Sequence, residues 1–260
     1  MKYRAGLPDE QVNLPRQNVL LQALKLSLSL GVLTAVGFGI LSLAMNAAVS
    51  YITPEQERML MHEISSDLNL SGSENAELDR VASKLSTCVS LPYEVKVYML
   101  DSDVPNAFAV PGGMIFVTTA MMQALQSENE LAFILGHEFG HFKHKDHLRR
   151  LGYGLILSTV AMMLGDTGSL GVNSVLDFGN ASYSRAAEEA ADLYGLDAMQ
   201  CAYGSVTDAT AYFERMAKTA KWQGFMADHP GFTERIAAMR ARIADAGMDT
   251  TIPAMPLPAE

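Results

Sequence analysis

The pattern HExxH in His137-Glu138-Phe139-Gly140-His141 restricts the possible folds of this chain more than any other feature. Side chains four positions apart lie on one face of a helix, so both imidazoles can reach one metal ion if this segment is helical. Two histidines do not complete a zinc site, and a third ligand has to come from elsewhere in the chain. The pattern therefore predicts a helix that packs against a second, ligand-bearing element.

The residues before the pattern support a helix. Ser127-Glu128-Asn129-Glu130 has the form of a capping box, with Ser at the N-cap and Glu three positions later. Apolar side chains then recur at helical spacing, at Leu131, Ile134, Leu135 and Phe139. Gly136 and Gly140 each cost a helix about 1 kcal/mol relative to Ala, which indicates that another element packs closely there.

Glu138 gives the pattern a catalytic interpretation. Its side chain is rotated away from the two histidines and can hold a water molecule bound to the same metal, which leaves an open coordination site. Zinc lowers the pKa of bound water from 15.7 to about 7, and a carboxylate can take the proton as the water attacks a carbonyl group. The pattern thus predicts hydrolysis of peptide bonds, with Glu138 as general base.

The best candidate for the third zinc ligand is Glu188, in the Ala-rich helical segment Ser184–Asp192. Asp192 lies four residues after Glu188 on the same helical face. One carboxylate can bind the metal while the other accepts the free N–H of a ligand histidine and fixes its tautomer. An ordinary surface glutamate is the alternative for Glu188.

Four motifs in order resemble one family of membrane-associated zinc metallopeptidases, which includes the CAAX prenyl endopeptidase, HtpX and the periplasmic β-barrel assembly-enhancing protease. The similar segments are HExxH, SRxxExxAD at 184–192, NAFAxPGGxIxV at 106–117, and HP with a later ERI at 229–236. The resemblance covers roughly residues 54–245. It implies that His137, His141 and Glu188 bind one zinc ion per chain and that Glu138 is the base.

The family segment also suggests a substrate-binding strand. Two short apolar strands, 108–110 and 115–118, are joined by Pro-Gly-Gly, where positive φ is readily adopted. An edge strand beside the active helix could pair with an extended polypeptide, and a plain hairpin is the alternative. The predicted strand and turn comprise Phe108, Ala109, Val110, Pro111, Gly112 and Gly113. A further strand is predicted over Tyr93–Leu100 from its alternating apolar residues.

Several polar residues outside these motifs have open roles. His229 could stabilise the tetrahedral oxyanion, occupy the fourth zinc position in a latent state, or simply begin a helix before Pro230. Arg185 and Arg235 are candidates for pairing with Asp192 or Glu188 beside the site, and exposed surface arginines are the alternative. His144 and His147 are expected to be surface residues.

A charge-free stretch from Leu26 to Ile52 exceeds the roughly 20 residues that span a bilayer. Only Arg58 follows it closely, whereas four basic residues precede it, Lys2, Arg4, Arg16 and Lys25. The positive-inside rule then places the N-terminus in the cytoplasm and the remaining chain outside. A cleaved signal peptide is the competing interpretation, but no clean A-x-A site follows.

A second apolar stretch, Leu151–Leu164, is too short for a span and is predicted to be a buried or membrane-grazing helix. A crossing there would also put His137 and Glu188 on opposite sides of the membrane. Cys88 and Cys201 either form a disulfide or remain buried thiols, and the sequence leaves both open. The net charge of −10 argues against binding to nucleic acid.

These observations predict an α+β fold, a helix-rich zincin-like metallopeptidase domain with a small β-sheet preceded by one transmembrane helix. The expected segments are a cytoplasmic segment 1–18, an anchor 19–52, a peptidase domain 53–246 and a disordered Pro-rich tail 247–260. The expected function is zinc-dependent cleavage of unfolded or misassembled envelope proteins, at the outer face of the bacterial inner membrane. The alternative is a latent or non-catalytic zinc-binding chaperone or assembly factor. A single span disfavours an intramembrane prenyl-peptide protease, and the oligomeric state is not predicted.

Overall fold

The computed structural model describes residues 18–59, 72–163, 183–218 and 225–257, with the side chains of 155–163 and 226–227 left undescribed. The predicted cytoplasmic segment, apart from residue 18, lies outside these ranges. The chain divides after Ala47 into two compact units, residues 1–47 and 48–260. All elements after the first helix belong to the second unit.

The first element is the helix α1, Val19–Tyr51, of 33 residues. It starts where the Asn18 side chain accepts hydrogen bonds from the N–H groups of Leu20 and Leu21. Its length, and a mean hydropathy of 2.0 over an 18-residue window, make it suited to crossing a membrane. The sequence prediction of one long apolar helix near the N-terminus is confirmed.

A short helical segment, α2 at residues 54–59, follows directly. It starts with a capping box, because the Gln56 side chain accepts from the Thr53 N–H at 2.9 Å and the Thr53 hydroxyl accepts from the Gln56 N–H. The next helix, α3 at Ala76–Ser86, is capped by Asn75 and buries one apolar face. This face is formed by Leu78, Val81, Ala82 and Leu85.

A four-stranded sheet packs against the helices. Its strands are β1 (Ser73–Glu74), β2 (Lys96–Leu100), β3 (Ala107–Val110) and β4 (Met114–Thr118), in the order β1-β2-β4-β3. β2 is parallel to β4, whereas β3 is antiparallel to β4 and forms an edge of the sheet. The turn between β3 and β4 needs glycine, because Gly112 and Gly113 have φ values of 91° and 83°.

The remaining described helices follow in chain order. They are α4 (Thr119–Ala124), α5 (Glu128–His144), α6 (Asp146–Met163), α7 (Arg185–Tyr203), α8 (Ala211–Met216), α9 (Phe225–Asp228) and α10 (Phe232–Asp245). The Ser127 hydroxyl accepts from the Glu130 N–H and caps α5, as predicted. The predicted apolar helix from Leu151 is part of α6, and whether it touches lipid stays untested.

The close packing predicted at the two glycines of α5 is confirmed, and α7 is the partner. A Cβ atom at Gly136 would lie 3.1 Å from the Cα of Gly195, and one at Gly140 would lie 2.7 Å from the Cα of Ala191. Only glycine lets the two backbones approach this closely. The contact fixes α7 directly against the HExxH segment.

The two cysteines form a disulfide, Cys88–Cys201, which joins the end of α3 to the last turn of α7. Its two sulfurs close a loop across 113 residues of sequence. Of the two states that the sequence left open, the structure therefore contains the disulfide.

The prediction of a disordered tail is wrong for the residues up to 257. The Met255 carbonyl accepts from the Glu128 N–H at 2.8 Å, and the Met255 N–H donates to the Asn129 side chain. The first N–H groups of a helix have no partner within the helix, so this extended segment satisfies one of them at the start of α5. Prolines do not prevent such pairing, because an extended chain can bond through its other residues.

Candidate metal centre

The two histidines of HExxH lie together in the interior of the protein. His137 and His141 have no solvent exposure, and their Nε2 atoms are 3.1 Å apart. One turn of α5 separates the two residues, so both rings project from the same face. The helical spacing thus brings the two nitrogen atoms to one point, as the sequence predicted.

Glu188 reaches the same point from α7. Its Oε2 lies 3.6 Å from the Nε2 of His137, and its Oε1 lies 3.6 Å from the Nε2 of His141. Gly140 permits this arrangement, because a side chain there would push α7 away from α5. The structure therefore unites the three predicted ligands from two distant segments.

His229, which follows α9, supplies a fourth donor atom. Its Nδ1 lies 3.1 Å from the Nε2 of His137 and 3.0 Å from the Oε1 of Glu188. The ring is fully buried and stacks on Phe225 at a centroid distance of 4.2 Å. We call His137, His141, Glu188 and His229 the four-donor cluster, whose candidate ligand atoms lie within 4.8 Å of one another.

The protonation of this cluster favours a bound cation. His137 Nδ1 faces the Asp192 carboxylate at 2.9 Å, and His141 Nδ1 faces Asp146 at 3.2 Å. Each Nδ1 therefore carries the proton, which leaves both Nε2 atoms as lone pairs that face each other. Lone pairs this close repel unless a positive charge lies between them.

The spacing of the donors also suits zinc. Zinc–nitrogen bonds of about 2.0 Å in a tetrahedron place neighbouring ligand atoms about 3.3 Å apart. Five of the six separations between donor residues, all except that of His141 and His229, run from 3.0 to 3.6 Å. Two to three imidazoles with one carboxylate form a donor set that zinc accepts, so the residues fit this ion.

Burial sets the charge state of the histidines. It lowers the pKa of His137 and His229, and it lowers the pKa of His141 to about 4. The rings are therefore neutral at pH 7, the form in which imidazole binds metals. Burial also raises the pKa of Glu188, while the neighbouring His137 and Arg235 act to lower it.

Arg235 on α10 holds the carboxylates beside the cluster in place. Its Nε and Nη2 donate to Asp192 at 2.7 and 2.6 Å, and its Nη1 lies 2.5 Å from Glu188 and donates to the His229 carbonyl. Burial acts to raise the pKa of Asp192, but the bonds from Arg235 and His137 lower it to about 2. The predicted contacts of Arg235 and Asp192 are present.

Arg185 does not take part in the site, so its predicted pairing is wrong. Its side chain is exposed, and among the described residues it forms no ion pair with Glu188 or Asp192. The residue is the first of α7 and follows the exposed Ser184, so it lies at the surface end of the helix. Arg235 provides the cation for both carboxylates instead.

Glu138 lies beside the four-donor cluster and is also fully buried. Its Oε2 accepts the N–H of Ala109 in β3 at 2.9 Å, while its Oε1 lies 3.6 Å from the Nε2 of His229. Burial, and next the negative charge of Glu188, raise the pKa of Glu138 well above its ordinary value. A carboxylate with a raised pKa is suited to accepting a proton near neutral pH.

The predicted substrate strand lies directly beside this carboxylate. β3 is the edge strand, and its Ala109 amide points away from β4 towards Glu138. The turn that follows is held by Glu57 of α2, whose Oε1 accepts the N–H of Gly112 at 2.8 Å. The predicted strand and turn, residues 108–113, therefore border the candidate site.

Sequence reasoning missed several residues around the site. Glu57 is buried and accepts hydrogen bonds from Tyr93 and His147, so the expectation of His147 at the surface is wrong. The Tyr183 ring stacks on His141 at a centroid distance of 3.9 Å. Asp146 lies five residues after His141, and a carboxylate so close to a ligand weakly indicates a role beside the site. No comparable signal marks Glu57, His147 or Tyr183.

Comparison with known proteins gives an independent result. Residues 72–243 match the family model described as peptidase family M48. Similar proteins include mitochondrial metalloendopeptidase OMA1 of Saccharomyces cerevisiae (29% identity over 57% of this chain and 46% of the relative). The Escherichia coli metalloproteases LoiP and YcaL are each 30% identical, over 60% and 64% of this chain. The aligned parts span 65% of LoiP and 69% of YcaL, so the chain matches about half to two thirds of these relatives.

Proposed function

The chain belongs to peptidase family M48, and on this basis we propose that it is a zinc-dependent metalloendopeptidase of the HExxH…ExxAD type. The observation that carries the proposal is the four-donor cluster beside Glu138. Two histidine lone pairs, a carboxylate and a third imidazole face one point, with a high-pKa carboxylate next to them. In this proposal, one zinc ion per chain is held by His137, His141 and Glu188.

Zinc, when bound, polarises a carbonyl group and makes water more acidic. The residues of the chain supply the remaining chemistry. Glu138 takes a proton from water at Oε1, which has no hydrogen-bond partner among the described residues, and later gives it to the leaving nitrogen. The N–H of Ala109 holds the other oxygen, so the carboxylate keeps its orientation while the proton moves.

His229 has two proposed roles in this scheme. Its Nε2 has no hydrogen-bond partner in the described part of the chain, so an N–H there can donate to the oxygen of the substrate carbonyl as negative charge develops. Its Nδ1, however, completes the four-donor cluster in this structure. This second position supports a latent state, in which His229 must leave before a substrate binds.

Unfolded or misassembled polypeptides are the proposed substrates. The edge strand β3 can accept an extended chain through backbone hydrogen bonds. These bonds depend little on the side chains of the substrate, so many sequences can bind. A folded domain cannot present an extended segment of this kind. The support is that β3 is an edge strand beside Glu138. The Ala109 N–H itself is bonded to Glu138, so the pairing would use other backbone groups of the strand.

The proposed location is the bacterial inner membrane, with α1 as a single anchor and the catalytic unit on the periplasmic side. The basic residues before α1 support this orientation. The disulfide Cys88–Cys201 supports it as well, because disulfides persist in oxidising compartments such as the periplasm.

The test compares the full-length wild type with Glu138→Gln, both in detergent and both loaded with equal zinc, on unfolded casein. Loss of the general base should slow cleavage by about 10²- to 10⁴-fold. If neither the zinc-loaded wild type nor His229→Ala, which removes the proposed latent contact, cleaves faster than Glu138→Gln, the peptidase proposal is wrong. The non-catalytic zinc-binding chaperone would then be favoured.

Latency is tested separately with His229→Ala. If His229 blocks the fourth metal position, its removal should raise the basal cleavage rate at equal zinc occupancy. A fall in the rate, with unchanged zinc content and melting temperature, would instead assign His229 to catalysis.

A further inference from the structure

Five buried side-chain atoms near the four-donor cluster have no hydrogen-bond partner in the described part of the chain. They are Glu138 Oε1, His229 Nε2, Tyr183 Oη, and the Nε and Nη2 atoms of Arg150. Buried polar atoms in folded proteins are nearly always paired, so a group of unpaired ones indicates a place where something else binds. Glu138 and His229 have roles in the proposed hydrolysis, but Tyr183 and Arg150 do not.

These atoms belong to one continuous region. The free atoms of Glu138 and His229 lie 3.6 Å apart. The Tyr183 ring stacks on His141 and lies 5.3 Å from the His229 ring. The Arg150 guanidinium carbon is 4.8 Å from the centre of the Tyr183 ring. Arg150 and Tyr183 therefore extend the metal centre on the side of His141.

The two buried arginines near the cluster differ in their partners. Arg235 donates through Nε, Nη1 and Nη2 to Asp192 and to the His229 carbonyl. Arg150 is 8% exposed, and its nearest carboxylate atom, Oδ1 of Asp228, is 4.0 Å away. Arg235 is thus a structural cation, whereas Arg150 is a buried cation whose Nε and Nη2 have no acceptor among the described residues.

The surroundings keep Arg150 in place without satisfying it. The Tyr183 ring lies below the guanidinium and attracts it as a cation–π pair. Asp228, the nearest acid, instead accepts a hydrogen bond from the Asn106 side chain at 2.9 Å. Within the described ranges, the Nε and Nη2 donors of Arg150 are therefore available to a ligand that carries acceptor atoms.

We propose that Arg150 and the Tyr183 hydroxyl form a subsite that binds a carbonyl or carboxylate oxygen of the polypeptide substrate. This proposal rests on the proposed peptidase function. Guanidinium groups only donate hydrogen bonds, and a phenol can donate one, so the ligand must offer acceptors. The oxygen has two potential sources, an internal backbone carbonyl and the C-terminal carboxylate of the substrate.

The experiment measures peptide binding rather than cleavage. Full-length Glu138→Gln protein in detergent, loaded with zinc, is titrated with two fluorescent peptides of one sequence, one ending in a free carboxylate and one in an amide. Adding Arg150→Ala should weaken binding about 10- to 100-fold, as expected for a lost hydrogen bond to a charged group. Weakening of both peptides identifies an internal carbonyl, and weakening of the carboxylate peptide alone identifies the chain end.

Two further variants and a control separate binding from folding. Tyr183→Phe removes only the hydroxyl and should weaken binding about 2- to 10-fold, and Arg150→Lys should fall between wild type and Arg150→Ala. Arg240→Ala removes an exposed arginine on α10 and should leave binding unchanged. If Arg150→Ala loses zinc or its folded structure, Tyr183→Phe decides. Unchanged affinity for both peptides in the folded, zinc-loaded variants would overturn the subsite.

The result is distinguishable from failure of the peptidase proposal. If wild type fails to cleave while Arg150→Ala weakens binding, the subsite stands and hydrolysis fails. If wild type cleaves while binding and KM are unaffected by both changes, hydrolysis stands and the subsite fails.

Discussion

The contact between Gly140 of α5 and Ala191 of α7 permits a sharp test of how the site is built. The change Gly140→Ala adds one methyl group, whose carbon would lie 2.7 Å from the Cα and 3.0 Å from the carbonyl oxygen of Ala191. Both neighbouring atoms belong to the backbone, so no side chain can rotate to relieve the overlap. The helices must separate, and Glu188 would then move away from His137 and His141.

The magnitude is the difference between two opposing effects. Replacing Gly by Ala inside a helix favours folding by about 1 kcal/mol. Overpacking of a tight interior site opposes it by about 1–3 kcal/mol. Gly154 in α6 provides a matched control, because a Cβ atom there would meet no described atom within 4 Å. Only the first effect acts in Gly154→Ala, so the free energies of unfolding of the two variants should differ by about 1–3 kcal/mol.

Thermal unfolding and zinc competition would measure this difference. For a unit of this size, 1 kcal/mol corresponds to about 2–4 °C, so Gly140→Ala should melt about 2–12 °C below Gly154→Ala. Zinc affinity should fall about 10- to 100-fold in Gly140→Ala alone, as when the support of a ligand is lost. Equal melting temperatures and equal zinc affinities in both variants would refute the close approach of α5 and α7 as the feature that positions Glu188.

Three further outcomes follow from the contacts beside the site. Replacing Cys88 and Cys201 by Ser opens the 113-residue loop and should lower the free energy of unfolding by about 4–5 kcal/mol, and a reductant should lower the melting temperature of wild type but not of this variant. Burial acts to raise the pKa of Glu57, but the hydrogen bond and charge of His147 and its other partners lower it overall. The ionised Glu57 side chain therefore stabilises the fold fully above pH 4.5, its ordinary pKa, and this stabilisation is lost as the pH falls towards the lower pKa of the folded state. The melting temperature of wild type should accordingly exceed that of Glu57→Gln at pH 6, and the difference should shrink towards pH 3. Asp192→Asn should reduce zinc affinity about 10- to 100-fold, measured against a chelator, and an unchanged affinity would show that this carboxylate does not orient His137.

Local spacing in the sequence predicted the elements of the site because helical periodicity acts over a few residues. The capping box at Ser127 and the apolar spacing placed HExxH on a helix, and α5 follows that prediction. The interval between Glu188 and Asp192 similarly placed both carboxylates on one face of α7. The glycines of α5 indicated close packing, but not the partner, because a missing side chain does not identify the element that approaches it.

Contacts between segments that are distant in sequence were harder to predict. Arg185 precedes Glu188 in a motif, whereas Arg235 lies more than forty residues later, and Arg235 is the residue that bonds to Asp192. The choice depends on how α10 crosses α7, and spacing along one helix carries no information on that crossing. The prediction of a disordered Pro-rich tail was wrong for the same reason. The tail is ordered by a contact with a distant segment, in which an N–H at the start of α5 donates to the tail.

Burial links the chemistry of the site to access. The residues of the four-donor cluster and Glu138 have no solvent exposure, and this burial keeps the histidines neutral and raises the pKa of Glu138. A polypeptide cannot reach atoms that water cannot reach, so the arrangement must open before a substrate binds. His229 would have to leave the cluster in the same step, since its Nδ1 occupies the fourth donor position. We therefore expect the cleavage rate to be limited by this opening, and substitutions that weaken the contacts of His229 to affect the rate more than substitutions in the predicted substrate strand.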